Sequence, residues 1–579
     1  MKVSDYLVDF FLEKGIKDFF GYQGTMIMHF VDSVGKKSDA VNHVCYNEQG
    51  AAFAACGYAK ATGGCAVAYA TSGPGAINLM SGIADAYYDS VPVIFISGQV
   101  NLSEYNKDVP DLRQQAFQQT DVVKMAKGIT KDAVFVESAQ MLYEKLGELW
   151  ELANSGRKGP VLLDIPMDIQ RAELPDDIIG KKEKTDACRD DNDYETICDD
   201  ILSRIQGAKA PVLLLGNGIL KTQDSVERVR SVINKLKIPV ITTLLGKGLV
   251  EDDSPYDYGV VGAAYGHRYT NWILHKKTDL IVSLGASLVR RQTGGNSREF
   301  AKDAAIIRVD IDDTELKRRV HDDEIQISAD VNKLLSALDR ALYSGGHEEW
   351  LIRCGKIKSM LQEYDRGSPG RQPNQLMERI SRIGGDDSVF AVDVGQHMMW
   401  AMQSLRIKDN RVLFSGGHGA MGFALPAAIG AFYGNGGKKN TICIAGDGAF
   451  QMNIQELQWL VRDNIPVCVI VLNNRCLGLI RQQQEDFFDS NFIGALSAGG
   501  YSSPSFADIA KAYGIKSVQL HPEEEPGEEI SSLIGKEPVL IEYLLEDDTV
   551  AVPKTFFGTS VLNQKPYIPE EMINELEDI

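Results

Sequence analysis

The stretch TICIAGDGAFQMNIQELQWLVRDNIPVCVIVLNNRCLG, Thr441 to Gly478, constrains this chain more than any other. Two short, continuously apolar runs flank a longer amphipathic segment. A strand that is apolar on both sides has to be covered on both faces, which is the condition of a parallel sheet between helices. The stretch therefore reads as strand, helix, strand. Gly446-Asp447-Gly448 closes the first strand and Asn473-Asn474 the second. Ligands of open parallel sheets sit outside the carboxyl ends of the strands, so Asp447 and Asn474 are expected to emerge side by side.

The same alternation fills three successive blocks, which predicts an α/β protein with three doubly wound parallel-sheet domains. At 579 residues the chain is too long for one core. The first domain is placed at 1–175, a polar linker at 176–195, the central domain at 196–344, a second linker at 345–373, the third domain at 374–548 and a proline-containing tail at 549–579. Apolar runs such as Val91 to Ile96 fall far short of the roughly 20 residues of a membrane span. A net charge of -20 repels phosphate backbones, so neither membrane nor nucleic acid is an expected partner. Nine cysteines without a CxxC pair, and an N-terminus with no export signal, point to reduced thiols and a cytoplasmic location.

Mg²⁺ takes hard oxygen ligands and is usually held by one or two carboxylates together with phosphate oxygens. A Gly-Asp-Gly turn alone is no more than a turn; paired with Asn-Asn one strand-helix-strand unit later, it is a specific signal. Here the chain resembles the thiamine-diphosphate enzymes, and DVGQHMMW at Asp393 to Trp400 with SGGHGAMGFALPAAIGA at Ser415 to Ala431 is similar to the acetolactate synthases among them. The resemblance implies that Asp447, the Asn474 side chain and the Cys476 carbonyl hold Mg²⁺. It implies further that Gln396 and His397 meet the diphosphate and that Met421 is the wedge that bends the cofactor. Gly419, Gly446, Gly448, Ala449 and Asn78 complete the implied cofactor contacts.

The first block resembles the same enzymes in HVCYNEQGAAFAACGYAKATG, ATSGPGAINLMSGIADAYYDSVPVIFISGQV and GPVLLDIPMDIQ. Glu48 takes the place of the carboxylate that activates the cofactor. AFQQT, Ala116 to Thr120, puts Gln118 beside the reacting carbons and Phe117 on the pocket wall. In this family the two halves of the site face each other across a subunit contact, so a homodimer or homotetramer is implied.

In the middle block SLGASLVRRQTGG places Arg291 where the family grips the second substrate's carboxylate, a role suited to a guanidinium. Tyr265 to Asn271 and Arg308 to Leu316 resemble FAD-binding segments. Thr25, Met167 and Gln483 depart from the synthase pattern, Gln483 standing where a tryptophan favours 2-oxobutyrate. The implied activity is a carboligase that decarboxylates pyruvate and passes the two-carbon unit to a carbonyl acceptor. A nucleotide-linked keto-sugar acceptor is the alternative within that chemistry, and a non-catalytic cofactor-binding paralogue the alternative outside it.

Overall fold

A computed structural model describes residues 1–105, 109, 112–175, 190, 192–220, 222–409, 411–556 and 558–579. The apolar runs form three six-stranded sheets in which every neighbouring pair is parallel. The first sheet contains β1 (Asp18–Gly21), β2 (Val41–Val44), β3 (Ala66–Ala70), β4 (Val93–Gln99), β5 (Asp132–Phe135) and β6 (Val161–Pro166), in the order β2-β1-β3-β4-β6-β5. The second contains β7 (Pro211–Leu215), β8 (Val240–Thr242), β9 (Asp257–Val260), β10 (Leu280–Leu284), β11 (Ala305–Asp310) and β12 (Ile325–Ser328). Its order, β9-β8-β7-β10-β11-β12, is that of dinucleotide-binding sheets. The third contains β13 (Ser388–Val392), β14 (Arg411–Leu413), β15 (Asn440–Gly446), β16 (Val467–Asn473), β17 (Lys516–Leu520) and β18 (Val539–Leu544). Its order, β14-β13-β15-β16-β18-β17, repeats the first sheet strand for strand. The expected fold class is thus what the chain adopts.

Residues 176–189 and 191, most of the first expected linker, lie outside the described residues. The second expected linker is largely the helix Glu348–Gly367, which buries Trp350, Cys354, Ile357 and Leu361 against the central domain. The tail passes the third domain at Thr549 to Pro553 and ends in the helix Glu570–Asp578, whose Leu576 is buried in the central domain's core. Among the described residues no helix is long and apolar enough to cross a membrane. The eight described cysteines are free and buried.

The first and third domains share one hydrophobic core, built on the helix Glu48–Thr62 and the helix Ala424–Gly434. Asn47 caps the first of these by accepting the Gln49 N–H at 2.8 Å, and Gly63, in the left-handed region at φ 72°, ends it. Both helices follow the second strand of their sheet, and both carry the pattern Ala-Ala-x-Gly, at Ala54 to Gly57 and at Ala427 to Gly430. The crossing is reciprocal. A β-carbon on Gly57 would lie 2.1 Å from the Ala427 carbonyl oxygen, and one on Gly430 would lie 1.8 Å from that of Ala54. Only glycine lets the two backbones approach so closely.

Candidate active site

Strand ends position one half of the site. β15 and β16 run in register from Thr441 beside Val467 to Gly446 beside Leu472, so Asp447 and Asn474 leave adjacent strands at the same edge. Both are buried. The Asp447 Oδ2 atom is buried with no hydrogen-bond partner, and burial pushes the carboxyl up to about 6 although Tyr501 and Ser503 stand beside it and favour its charged form. A buried carboxylate oxygen with nothing to meet is costly, and a divalent cation removes that cost. Asn474 donates to Gln396 Oε1 at 3.3 Å and to Thr549 Oγ1 at 3.1 Å, and its own Oδ1 accepts the Cys476 N–H at 3.4 Å. One carboxylate, one amide and the chain at Cys476 therefore converge, a donor set that fits Mg²⁺ completed by diphosphate oxygens.

His397 and Gln396 open the helix Gln396–Ser404. The His397 ring lies against glycine backbone, since a β-carbon on Gly446 would stand 2.9 Å from its Nδ1. Burial holds this imidazole down at about 3, so it is neutral, and its Nε2 is a second buried atom without a partner. Met421 and Gly419 sit on the loop 415–422; Gly419 has φ 70°, which calls for glycine, and the Met421 methyl lies 3.5 Å from the position of a Gly448 β-carbon. Ala449 is buried in the helix Asp447–Gln451.

The other half is built on the first sheet. Glu48 is 8% exposed at the first turn of its helix, and its Oε2 accepts from Asn78 Nδ2 at 3.0 Å. A side chain at Gly75 would meet Glu48 Oε1 at 3.0 Å, and one at Gly73 would meet Gln118 Cβ at 3.0 Å, so Glu48, Asn78 and Gln118 gather on one glycine turn. Gln118 itself has φ 65°. Asn78, expected as a cofactor contact, is exposed and uses its Nδ2 to hold Glu48.

Three of the expected site residues are exposed on the single chain. Phe117 lines no wall within the chain, being 79% exposed. Arg291 is exposed on the short helix Arg290–Thr293, where its carbonyl accepts the Ala263 N–H at 2.9 Å. Gln483 is exposed, whereas its neighbour Gln482 is buried and accepts from Gln396 Nε2 at 3.2 Å. Helical rotation decides this, since consecutive residues point to different sides. Sequence reading also missed Thr549 and Tyr501, which reach the site from distant segments.

Three side chains of the segments expected to meet FAD have protein partners. Arg268 pairs with Asp365 at 2.9 Å, Asn271 bonds the main chain of Gly262, and Arg308 pairs with Glu324 at 3.0 Å. At the switch point between β7 and β10 the Gly218 N–H donates directly to the Gly285 carbonyl at 2.9 Å. Those three side chains thus serve the central domain's own packing. A cavity of about 820 Å³ lies between the central and third domains, bordered by Lys247, Asp257, Lys358 and Arg371 and by His267 and Tyr269 of the first of these segments.

Comparison with known proteins agrees with this geometry. Residues 1–125 match the thiamine pyrophosphate enzyme N-terminal TPP binding domain, 198–338 the central domain and 393–543 the C-terminal TPP binding domain. The large subunit of acetolactate synthase isozyme 2 from Escherichia coli K12 is 33% identical over 94% of this chain and 96% of its own length. The isozyme 1 large subunit of the same organism is 33% identical over 95% of both chains. A probable acetolactate synthase large subunit from Methanocaldococcus jannaschii is 33% identical over 100% of this chain and 98% of its own. The chain therefore belongs to the thiamine-pyrophosphate enzyme family, among the relatives of the acetolactate synthase large subunits.

Proposed function

We propose that the protein releases CO₂ from one pyruvate and joins the remaining two carbons to a second, giving 2-acetolactate. The observation that carries this reading is the unpartnered Asp447 oxygen beside Asn474, in a chain that also presents the Glu48–Asn78 pair. Thiamine diphosphate, when bound, supplies a carbon nucleophile and a sink for the electron pair that CO₂ leaves behind. Asp447, Asn474 and the Cys476 carbonyl would hold Mg²⁺, with Gln396 and neutral His397 beside the diphosphate. Glu48, fixed by Asn78, is the group that moves a proton to and from the cofactor ring. Gln118 faces the same glycine turn and orients the reacting carbonyl; Arg291 is assigned to the acceptor carboxylate. No step of this reaction is routed through FAD.

We further propose a homo-oligomer in which a partner copy completes the site. Tyr46, Ile77 and Phe117 rim the Glu48 half, and Met452, Ile480 and Phe487 rim the Asp447 half, all large, apolar and exposed. So many uncovered apolar side chains mark an interaction surface. Purified protein with Mg²⁺, thiamine diphosphate and pyruvate is expected to yield 2-acetolactate and CO₂ in equal amounts. CO₂ release without acetolactate would move the acceptor to another carbonyl compound, such as a keto-sugar; no CO₂ release would end the proposal.

A further inference from the structure

Each cofactor-facing loop is held by a buried carboxylate of the opposite domain. Glu456 belongs to the third domain, follows the helix Asp447–Gln451 and is 0% exposed. Its two carboxylate oxygens both accept the Tyr46 N–H, at 3.1 Å each, two residues before Glu48. A β-carbon on Gly50 would lie 2.6 Å from Glu456 Oε1, so the first turn of the Glu48 helix rests directly on this group. Beside it Asn453 donates to Gln49 Oε1 at 3.1 Å. The reverse contact is made by Asp89 of the first domain, 1% exposed. It accepts the Gly416 N–H at 3.0 Å and the Gly417 N–H at 2.7 Å, at the start of the loop that carries Gly419 and Met421. Lys60 ties the arrangement together, donating to Asp89 and to the Phe414 carbonyl at 2.7 Å each.

A buried carboxyl group holds the main-chain N–H groups it accepts whether or not it carries a proton, and holds them more strongly when charged. We propose that Glu456 and Asp89 are positioning residues: Glu456 sets where the Glu48 carboxylate stands, and Asp89 sets the loop that carries the Met421 wedge. The inference rests on the reading of Glu48 and of that loop as cofactor contacts. Neither carboxylate is assigned any contact with cofactor or substrate. Glutamine at 456 keeps the shape but turns a donor toward the N–H groups of the Glu48 turn, so Glu48 is displaced while the diphosphate contacts stay intact. Asparagine at 89 likewise loses one of its two main-chain bonds, which loosens the wedge loop.

The test compares wild type, E456Q and D89N, each loaded with thiamine diphosphate and Mg²⁺, in three measurements. These are cofactor affinity by calorimetry, exchange of the cofactor's C2 proton with solvent by NMR, and main-chain amide exchange over residues 45–49 and 415–422. For E456Q the expected result is C2 exchange slowed by about tenfold or more with affinity within about threefold, because a misplaced general acid–base group costs rate rather than binding. For D89N it is affinity weakened by about tenfold with exchange per bound cofactor unchanged. C2 exchange at the wild-type rate in E456Q, or unchanged affinity in D89N, overturns the proposal. Should E456Q fail to fold, the D89N arm decides. Should wild type itself not accelerate C2 exchange, the reading of Glu48 fails; the positioning claim is then judged on amide exchange alone, which must rise at 45–49 in E456Q and at 415–422 in D89N.

Discussion

Glu48 and Asp447 contribute different quantities, and single substitutions separate them. Glu48→Gln keeps the bond from Asn78 but removes the charge, so turnover is expected to vanish while cofactor affinity stays within about tenfold, read by steady-state assay beside calorimetry. Asp447→Ala leaves only neutral donors, so Mg²⁺-dependent cofactor binding is expected to be lost in the same titration. At position 483 a glutamine offers no apolar surface to an added methylene, which is worth roughly 1 to 3 kcal/mol in an apolar pocket. The enzyme is therefore expected not to prefer 2-oxobutyrate to pyruvate as acceptor, and Gln483→Trp is expected to raise the share of acetohydroxybutyrate when the two compete at equal concentration. A wild-type product mixture dominated by acetohydroxybutyrate would contradict this. Asp447, Asn474 and Glu48 were legible in the sequence because each sits at a strand end, where neighbouring residues announce the turn. Gln482, Thr549 and Tyr501 were not, because helix rotation and the path of a tail bring them in and no local pattern records either.

Among the elements, the crossing of the helices Glu48–Thr62 and Ala424–Gly434 has the least room to change. A side chain at Gly430 would enter the Ala54 carbonyl, which is backbone and cannot rotate away. Gly430→Val is expected to destabilise the protein by about 3 kcal/mol, measured by denaturant unfolding, because overpacking at a backbone contact forces the helices apart. An unchanged unfolding midpoint would show that the two domains are joined elsewhere. Alternation of strand and helix made all three sheets legible, together with their parallel sense. Strand order was not legible, since hydrophobic patterning says that a strand is buried but not which neighbour it pairs with. The repeated Ala-Ala-x-Gly was in plain view, yet it gains meaning only once both helices are known to follow the second strand of like sheets.

Across the whole molecule, burial leaves several carboxyl groups reluctant to ionise. Asp164, held by Ser97 at 2.7 Å and Gln99 at 3.0 Å, and Glu456 are both pushed up to about 7, while Asp257 and Asp393 are pushed up to about 6. Raised folded-state values mean that the folded chain binds more protons than the unfolded one between about pH 4 and 7. Stability of the cofactor-free protein is therefore expected to fall as pH rises through that window. Asp164→Asn, whose amide can donate to Ser97 while its oxygen accepts from Gln99, is expected to flatten the slope and to raise stability above pH 7 by on the order of 1 kcal/mol. Denaturant unfolding at several pH values checks both, and a curve that instead climbs from pH 4 to 7 would show that other groups dominate. The reciprocal helix crossing has a further consequence, an evolutionary one. Because Ala54 meets Gly430 and Ala427 meets Gly57, two like-folded halves greet each other through the same patch, as the subunits of a symmetric pair do. The atoms these glycines meet are main-chain, which every residue carries, so across descendants of this lineage the glycines at 57 and 430 should be kept together whatever stands at 427 and 54.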